Sequence, residues 1–290
     1  MRPINVGTYR IRPINIGIYS VIEMFKKYNF LVLLILLFCV PMCKTAKVEH
    51  TEPDGKDGVF VLCYHAFINV PNDITFPIKQ LDLQMETLKN AGFNFITVED
   101  LIAKRYKGLN NVLITVDDGN KSVYTAYYEV FKKYNIKPLI AIYTAIISRQ
   151  RYALTWEQIA ELHNEGCYIA AHGYYHLFLD ANAYRKDPNS CRREVVKSKE
   201  ILESKLGISI NTFVYPYGVR CAEVVKLVEE ADYKFGFTVD DGIIFRNDPN
   251  INRFEMPRYM ITNSNVHKVF GLMFNAIDKI YEPNPKLAIF

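Results

Sequence analysis

Asp117-Asp118-Gly119 and His172-Gly173-Tyr174-Tyr175-His176 are the stretches of this 290-residue chain best suited to chemistry. One carboxylate and two imidazoles make a ligand set that holds a divalent ion and leaves positions open for water and substrate. A second, adjacent carboxylate is then free to take a proton. Each group follows an apolar run, Val112-Leu113-Ile114-Thr115-Val116 and Cys167-Tyr168-Ile169-Ala170-Ala171, and both runs read as buried strands. α/β folds carry their chemistry at such C-terminal strand tips. Taken singly, both groups have plainer readings. Adjacent aspartates before a glycine commonly form a turn or a cap. An H-x-x-x-H pair can be two ordinary surface residues on one helical face. Their equivalent placement after two strands is what outlines a metal-dependent hydrolase.

Three further elements fit the same rim. Tyr64-His65 ends the first strand-like run, although a lone histidine is more often a satisfied structural residue. Val214-Tyr215-Pro216-Tyr217-Gly218 ends another in a Pro/Gly turn, which either aims a backbone N–H at a developing oxyanion or simply stiffens a loop. Arg258, at the opening of the last strand signal, would orient a catalytic carboxylate or pair with any nearby acid. His163 and His267, within helical stretches, read as ordinary.

The elements that must position these residues alternate strictly. Strand signals lie at Val59–Tyr64, Phe95–Val98, Val112–Val116, Pro138–Tyr143, Cys167–Ala171, Thr212–Tyr215, Lys234–Val239 and Met256–Ile261. Between them, Leu81, Met85 and Leu88 fall on one helical face before Gly92, and a brief helix is expected at Glu99–Lys104. Another runs from the third strand to about Tyr134. Thr155-Trp156-Glu157-Gln158 has the form of a capping box, opening a helix that stops at Gly166. Asp187-Pro188 caps a long helix ending near Gly207, and further helices follow Val219 and Asn265. Apolar strands alternating with helices predict a parallel sheet covered by helices. The number of units predicts a single distorted (β/α) barrel of seven or eight strands over residues 59–290. No G-x-G-x-x-G or G-x-x-x-x-G-K-[ST] occurs, so no nucleotide cradle is expected.

Half the residues are hydrophobic, with 18 Phe and 20 Tyr, enough for a large core. The formal charge of +4 is carried by the first 43 residues, which hold five of the 35 basic residues and one of the 31 acidic ones. The remainder is neutral, so nucleic acid is not an expected partner. Lys26-Lys27 precede the apolar run Phe30–Val40 and then Pro41-Met42-Cys43, the pattern of an export signal. Initiation at Met24 would give a conventional signal, and Cys43 resembles the acylated cysteine of a lipobox although Val40-Pro41-Met42 departs from it. Residues 1–43 are thus expected to be a leader, 44–58 a linker, and the chain either a cell-envelope lipoprotein or secreted, touching membrane only through that segment. Four cysteines remain, Cys63, Cys167, Cys191 and Cys221, with no C-x-x-C pair. Cys63 and Cys167 read as buried small hydrophobes, and a Cys191–Cys221 bridge stays open.

Taken in order, Thr115-Val116-Asp117-Asp118-Gly119, His172-x-x-x-His176 and Tyr215-Pro216-Tyr217-Gly218 resemble the first three motifs of the polysaccharide deacetylases, the NodB-homology domain or carbohydrate esterase family 4. Leu62-Cys63-Tyr64-His65, the Leu88–Gly92 stretch and Met256-Pro257-Arg258 are similar to the branch that de-N-acetylates poly-N-acetylglucosamine in biofilms. The resemblance spans about Val59 to Ile261. It implies that Asp117 is the general base and that Asp118, His172 and His176 bind one divalent metal, zinc or else Co2+, Ni2+ or Fe2+. It further implies that the Tyr217 N–H stabilises the oxyanion and that His65 is the general acid. The chain departs from the family at three points. Gly173 replaces a Ser/Thr, which would loosen the support of the metal loop. Val214 stands where many members have an arginine, a role Arg258 would take over. No Leu-x-His follows the last strand, which leaves the acid role to His65. Implied with these roles is removal of N-acetyl groups from an N-acetylglucosamine polysaccharide. Rival readings are a peptidoglycan or chitin-oligomer deacetylase, an O-acetyl xylan esterase, and an inactive glycan-binding lipoprotein.

Overall fold

The computed structural model describes residues 57–278, which belong to one compact unit. The expected leader through Cys43, the Met24 start and almost all of the expected linker lie outside the described residues. Nine strands form one sheet: β1 (Gly58–Tyr64), β2 (Asn94–Phe95), β3 (Asn111–Val116), β4 (Leu139–Ile142), β5 (Tyr168–Ala171), β6 (Thr212–Val214), β7 (Phe235–Phe237), β8 (Ile243–Phe245) and β9 (Tyr259–Met260). Around them run α1 (Ile78–Asn90), α2 (Val98–Ile102), α3 (Ser122–Ala126), α4 (Trp156–Asn164), α5 (Ala181–Lys186), α6 (Pro188–Leu206), α7 (Ala222–Glu230) and α8 (Val266–Asp278).

Strand order is β7-β6-β5-β4-β3-β1-β8, with β2 paired to β3 and β9 to β1. Every pairing is parallel except β1 with β8. The curl is closed by one segment that changes partner. Met256 bridges Phe237 of β7, and three and four residues on, Tyr259 and Met260 pair with Leu62 and Cys63 of β1. The result is the distorted (β/α) barrel expected from the sequence.

Side chains alternate across each strand, so parity decides what lines the barrel. Phe60, Leu62 and Tyr64 of β1, and Val112, Ile114 and Val116 of β3, face outward. They join Leu81, Met85, Val123, Ile159, Val195 and Val224 of the helices in the larger apolar core. Val59, Val61, Leu113, Leu139, Ala141, Ala170, Val214 and Phe237 form a second core inside the ring.

Several sequence expectations are corrected. β2 stops at Phe95, and Val98 opens α2, because Thr97 and Asp100 form a reciprocal capping box. The last strand shrinks from Met256–Ile261 to Tyr259–Met260, since its first part serves β7 instead. The antiparallel β8 and the short α5 carry no sequence signal strong enough to have been expected. The helix expected to reach Tyr134 becomes a π-helical turn at Tyr127–Phe131 and a 3₁₀ turn at Lys132–Tyr134. All four cysteines after the leader are free thiols. Among the described residues, no helix is long and apolar enough to cross a membrane.

Candidate active site

The inward parity of the strands continues past their ends. β1 and β3 are in register Tyr64↔Val116, and the Asp117 N–H extends the ladder to the Tyr64 carbonyl at 2.9 Å. His65 and Asp117 therefore follow Cys63 and Thr115 to the same rim, on the side that faces into the ring. His172 follows Tyr168 and Ala170 on β5, its N–H bonded to Ile142 O at 2.8 Å. The rim residues expected from sequence converge here, the half-exposed Tyr217 ring lying against His176 at the solvent side.

Asp118, His172 and His176 each offer a ligand atom, and these atoms lie within 4.8 Å of one another. Nε2 of His172 and Nε2 of His176 are 3.1 Å apart, and Asp118 Oδ1 lies 3.6 Å and 3.3 Å from them. His172 Nδ1 is 2.8 Å from the Val214 carbonyl; donating its proton there leaves the Nε2 lone pair for a ligand. Asp118 Oδ1 is buried and has no hydrogen-bond partner. A partnerless carboxylate oxygen converging on two ring nitrogens fits a divalent cation of zinc type. Burial pushes His176 down to about 4, so its ring is neutral and able to ligate near neutrality.

Asp117 is held differently. Burial would raise its carboxyl pKa, but the Arg258 guanidinium, together with His172 and His65, holds it well below the usual carboxylate range. Arg258 Nη1 and Nη2 donate to Oδ1 and Oδ2, each at 2.8 Å, in a bidentate fork. Its other donors reach Thr115 Oγ1 at 2.9 Å and the Thr238 carbonyl at 2.8 Å. Arg258 is thus fully buried yet satisfied. The Cys63 thiol also donates to Asp117 Oδ2, at 3.3 Å, so Cys63 is more than the small hydrophobe expected. A ring nitrogen of His65 shares this cluster, within 4.8 Å of Cys63 Sγ and an Asp117 oxygen. His65 Nδ1 is buried without a partner, and burial lowers the imidazole pKa against the pull of Asp117 and Asp118.

The H-x-x-x-H motif is a loop, not a helical face. His176 sits at φ 65, Asp118 at φ 75 and Tyr217 at φ 58, so three site positions occupy the left-handed region that side chains disfavour. The Tyr217 ring is half exposed, stacked on Phe178 at 4.1 Å and 4.4 Å from the His176 ring.

Gly173 does not loosen the loop, contrary to the sequence expectation. Its φ is 85°, and a Cβ there would lie 2.5 Å from Glu194 Oε2. Glu194, fully buried on α6, accepts the backbone N–H groups of Tyr175 at 2.9 Å, His176 at 3.0 Å and Leu177 at 3.3 Å. Sequence reasoning missed this residue. Its signal was an acid within the buried stripe Cys191, Val195, Ser198 and Leu202 of an otherwise amphipathic helix. His163 and His267 lie in helices α4 and α8, outside the cluster.

Residues 104–236 match the family model described as polysaccharide deacetylase. The Bacillus subtilis (strain 168) polysaccharide deacetylase homologue YxkH is 28% identical over 219 residues, covering 71% of this chain and 76% of that protein. The poly-beta-1,6-N-acetyl-D-glucosamine N-deacetylase of Staphylococcus aureus (strain MSSA476) is 22% identical over 196 residues, covering 63% of this chain and 67% of that one. The solved structure of IcaB from Ammonifex degensii shares the fold with a TM-score of 0.66 at 24% identity, over 76% of this chain and 98% of that chain. Residues 104–236 thus form a polysaccharide deacetylase domain on a barrel of this kind, which makes the protein a hydrolase of carbon–nitrogen bonds other than peptide bonds.

Proposed function

We propose that this protein removes N-acetyl groups from a polysaccharide containing N-acetylglucosamine, as the Staphylococcus aureus relative is named for doing. The observation that carries the reading is the bidentate Arg258–Asp117 pair beside the Asp118, His172 and His176 cluster. A divalent ion held by those three residues, zinc or another first-row ion, would supply Lewis acidity to the acetamide carbonyl and to water. Asp117 stays ionised because Arg258 faces it, and it takes the proton of the attacking water. The Tyr217 N–H donates to the developing oxyanion. Addition of the water oxygen to the carbonyl carbon comes first; His65 then delivers a proton to the departing nitrogen as the carbon–nitrogen bond breaks and the carbonyl re-forms. The products are acetate and a free amine on the sugar.

The test is acetate release from N-acetylglucosamine polymers by the metal-loaded protein. Activity should disappear with chelator and return with added metal; release that ignores chelation would overturn the metal reading. We also propose export, supported by the Lys26-Lys27 and Phe30–Val40 pattern. Mass spectrometry of the native protein should find the residues before about Lys44 removed, or Cys43 acylated.

A further inference from the structure

Beside the site, the loops after β1, β3 and β4 enclose a cavity of about 360 Å³. Phe67 and Ile68 follow His65 by two and three residues, and Asn120 follows Asp118 by two. Ser122 Oγ accepts the Phe67 N–H at 2.9 Å, tying two of these loops together. Tyr152 forms one wall and is half exposed. Its hydroxyl is 3.4 Å from that of Tyr143, whose ring lies 5.1 Å from His176. Two tyrosines in series thus link the cavity wall to the metal cluster. An open surface depression adjoins it, lined by Lys121, Arg151 and Tyr152.

The lining suits a pyranose ring: an aromatic and aliphatic face from Tyr152 and Ile68, with the amides of Asn120 and Gln158 for hydroxyls. Gln158 Oε1 already accepts the Thr155 N–H at 3.0 Å, which leaves its amide N–H groups as donors. Neither the cavity nor the depression is lined by an acid. The nearby Glu161 is engaged by the hydroxyls of Tyr124 and Tyr128, at 2.7 Å and 2.5 Å. Lys121 and Arg151 are exposed and form no ion pair among the described residues. Two unpaired cations at the mouth of a sugar-sized, acid-free cavity complement a negative substituent.

We infer that this groove binds the sugar next to the one being deacetylated, and that the substrate glycan carries an anionic group on that neighbour. The inference rests on the deacetylase reading and narrows its substrate class.

Three probes test it with the metal-loaded full chain. They are neutral N-acetylglucosamine oligomers, glycan strands in which N-acetylglucosamine alternates with the carboxylate sugar N-acetylmuramic acid, and N-acetylglucosamine oligomers bearing phosphate monoesters. Acetate release should favour an anionic glycan over the neutral one by about tenfold in kcat/KM, the effect of two solvent-facing ion pairs. The gain should lie in KM and shrink with added salt. The carboxylate and phosphate arms identify which anion is preferred. The double variant Lys121→Gln/Arg151→Gln should bring the ratio to near one and leave the neutral substrate within about twofold. Equilibrium binding of the same oligomers should show the same loss without needing turnover. An unchanged ratio in the double variant, or no anionic preference in the wild type by turnover and by binding, overturns the inference. Absence of acetate from every probe would instead sink the deacetylase reading, and the binding ratio would still judge the groove.

Discussion

Asp117 and Arg258 are a fully buried charge pair, and removing one partner leaves the other without compensation. Arg258→Met should cost about 3–5 kcal/mol of stability, measurable by denaturant unfolding. Because the folded carboxyl lies below its ordinary value, the pair's contribution is present above about pH 4 and declines as pH falls through the folded value. Activity should follow the same charge. Without the guanidinium, burial pushes the Asp117 carboxyl upward, so the acidic limb of the kcat/KM profile should move to higher pH. An acidic limb that stays put would remove Asp117 as the base. Asp117→Asn should lower kcat by about 10²–10⁴-fold with metal still bound, which metal analysis alongside the rates would check. His65→Ala should slow amide hydrolysis by a similar factor but spare esters of good leaving groups, since a phenolate leaves without a proton. Equal losses on amide and ester would make His65 structural. These residues were legible in the sequence because metal and proton chemistry admits few residue types, and each candidate sat at a strand tip.

The loop from His172 to His176 shows what a linear reading leaves out. Gly173 looked like a lost side-chain support. In the folded chain, the support arrives from α6, and the space a side chain at 173 would need is filled by Glu194 Oε2. Gly173→Ala should therefore destabilise by about 1–3 kcal/mol through its left-handed backbone alone, and more if Glu194 cannot shift. Glu194→Ala should weaken metal affinity by about 10–100-fold, read by competition with a chelator, as loss of a group that orients a ligand does. Unaltered affinity would make Glu194 a support of the fold only. Two long-range facts kept this hidden: α6 packs its buried stripe under the loop, and one carboxylate serves several N–H groups 17 to 19 residues away.

At the scale of the molecule, periodicity and strand–helix alternation made the barrel readable. The sequence signals were weakest where pairing is set by distant partners, as at β8, β9 and the Met256–Met260 closure. Removing a bound metal should lower the unfolding midpoint, by an amount corresponding to about 2.7 kcal/mol if free metal stood at a hundred times its Kd. A chelator that leaves the midpoint unchanged would show that the cluster holds no ion tightly. The closure itself bears on how the protein is made. The base and its arginine are 141 residues apart, and the arginine lies on the segment that joins the two rims of the sheet. During synthesis, the first strands and the metal ligands therefore emerge while Asp117 still lacks its counter-charge. The catalytic rim becomes electrostatically whole only when nearly the entire barrel has been delivered, so activity should appear late and abruptly during refolding, in step with docking of the final parallel strand rather than with formation of the first helices.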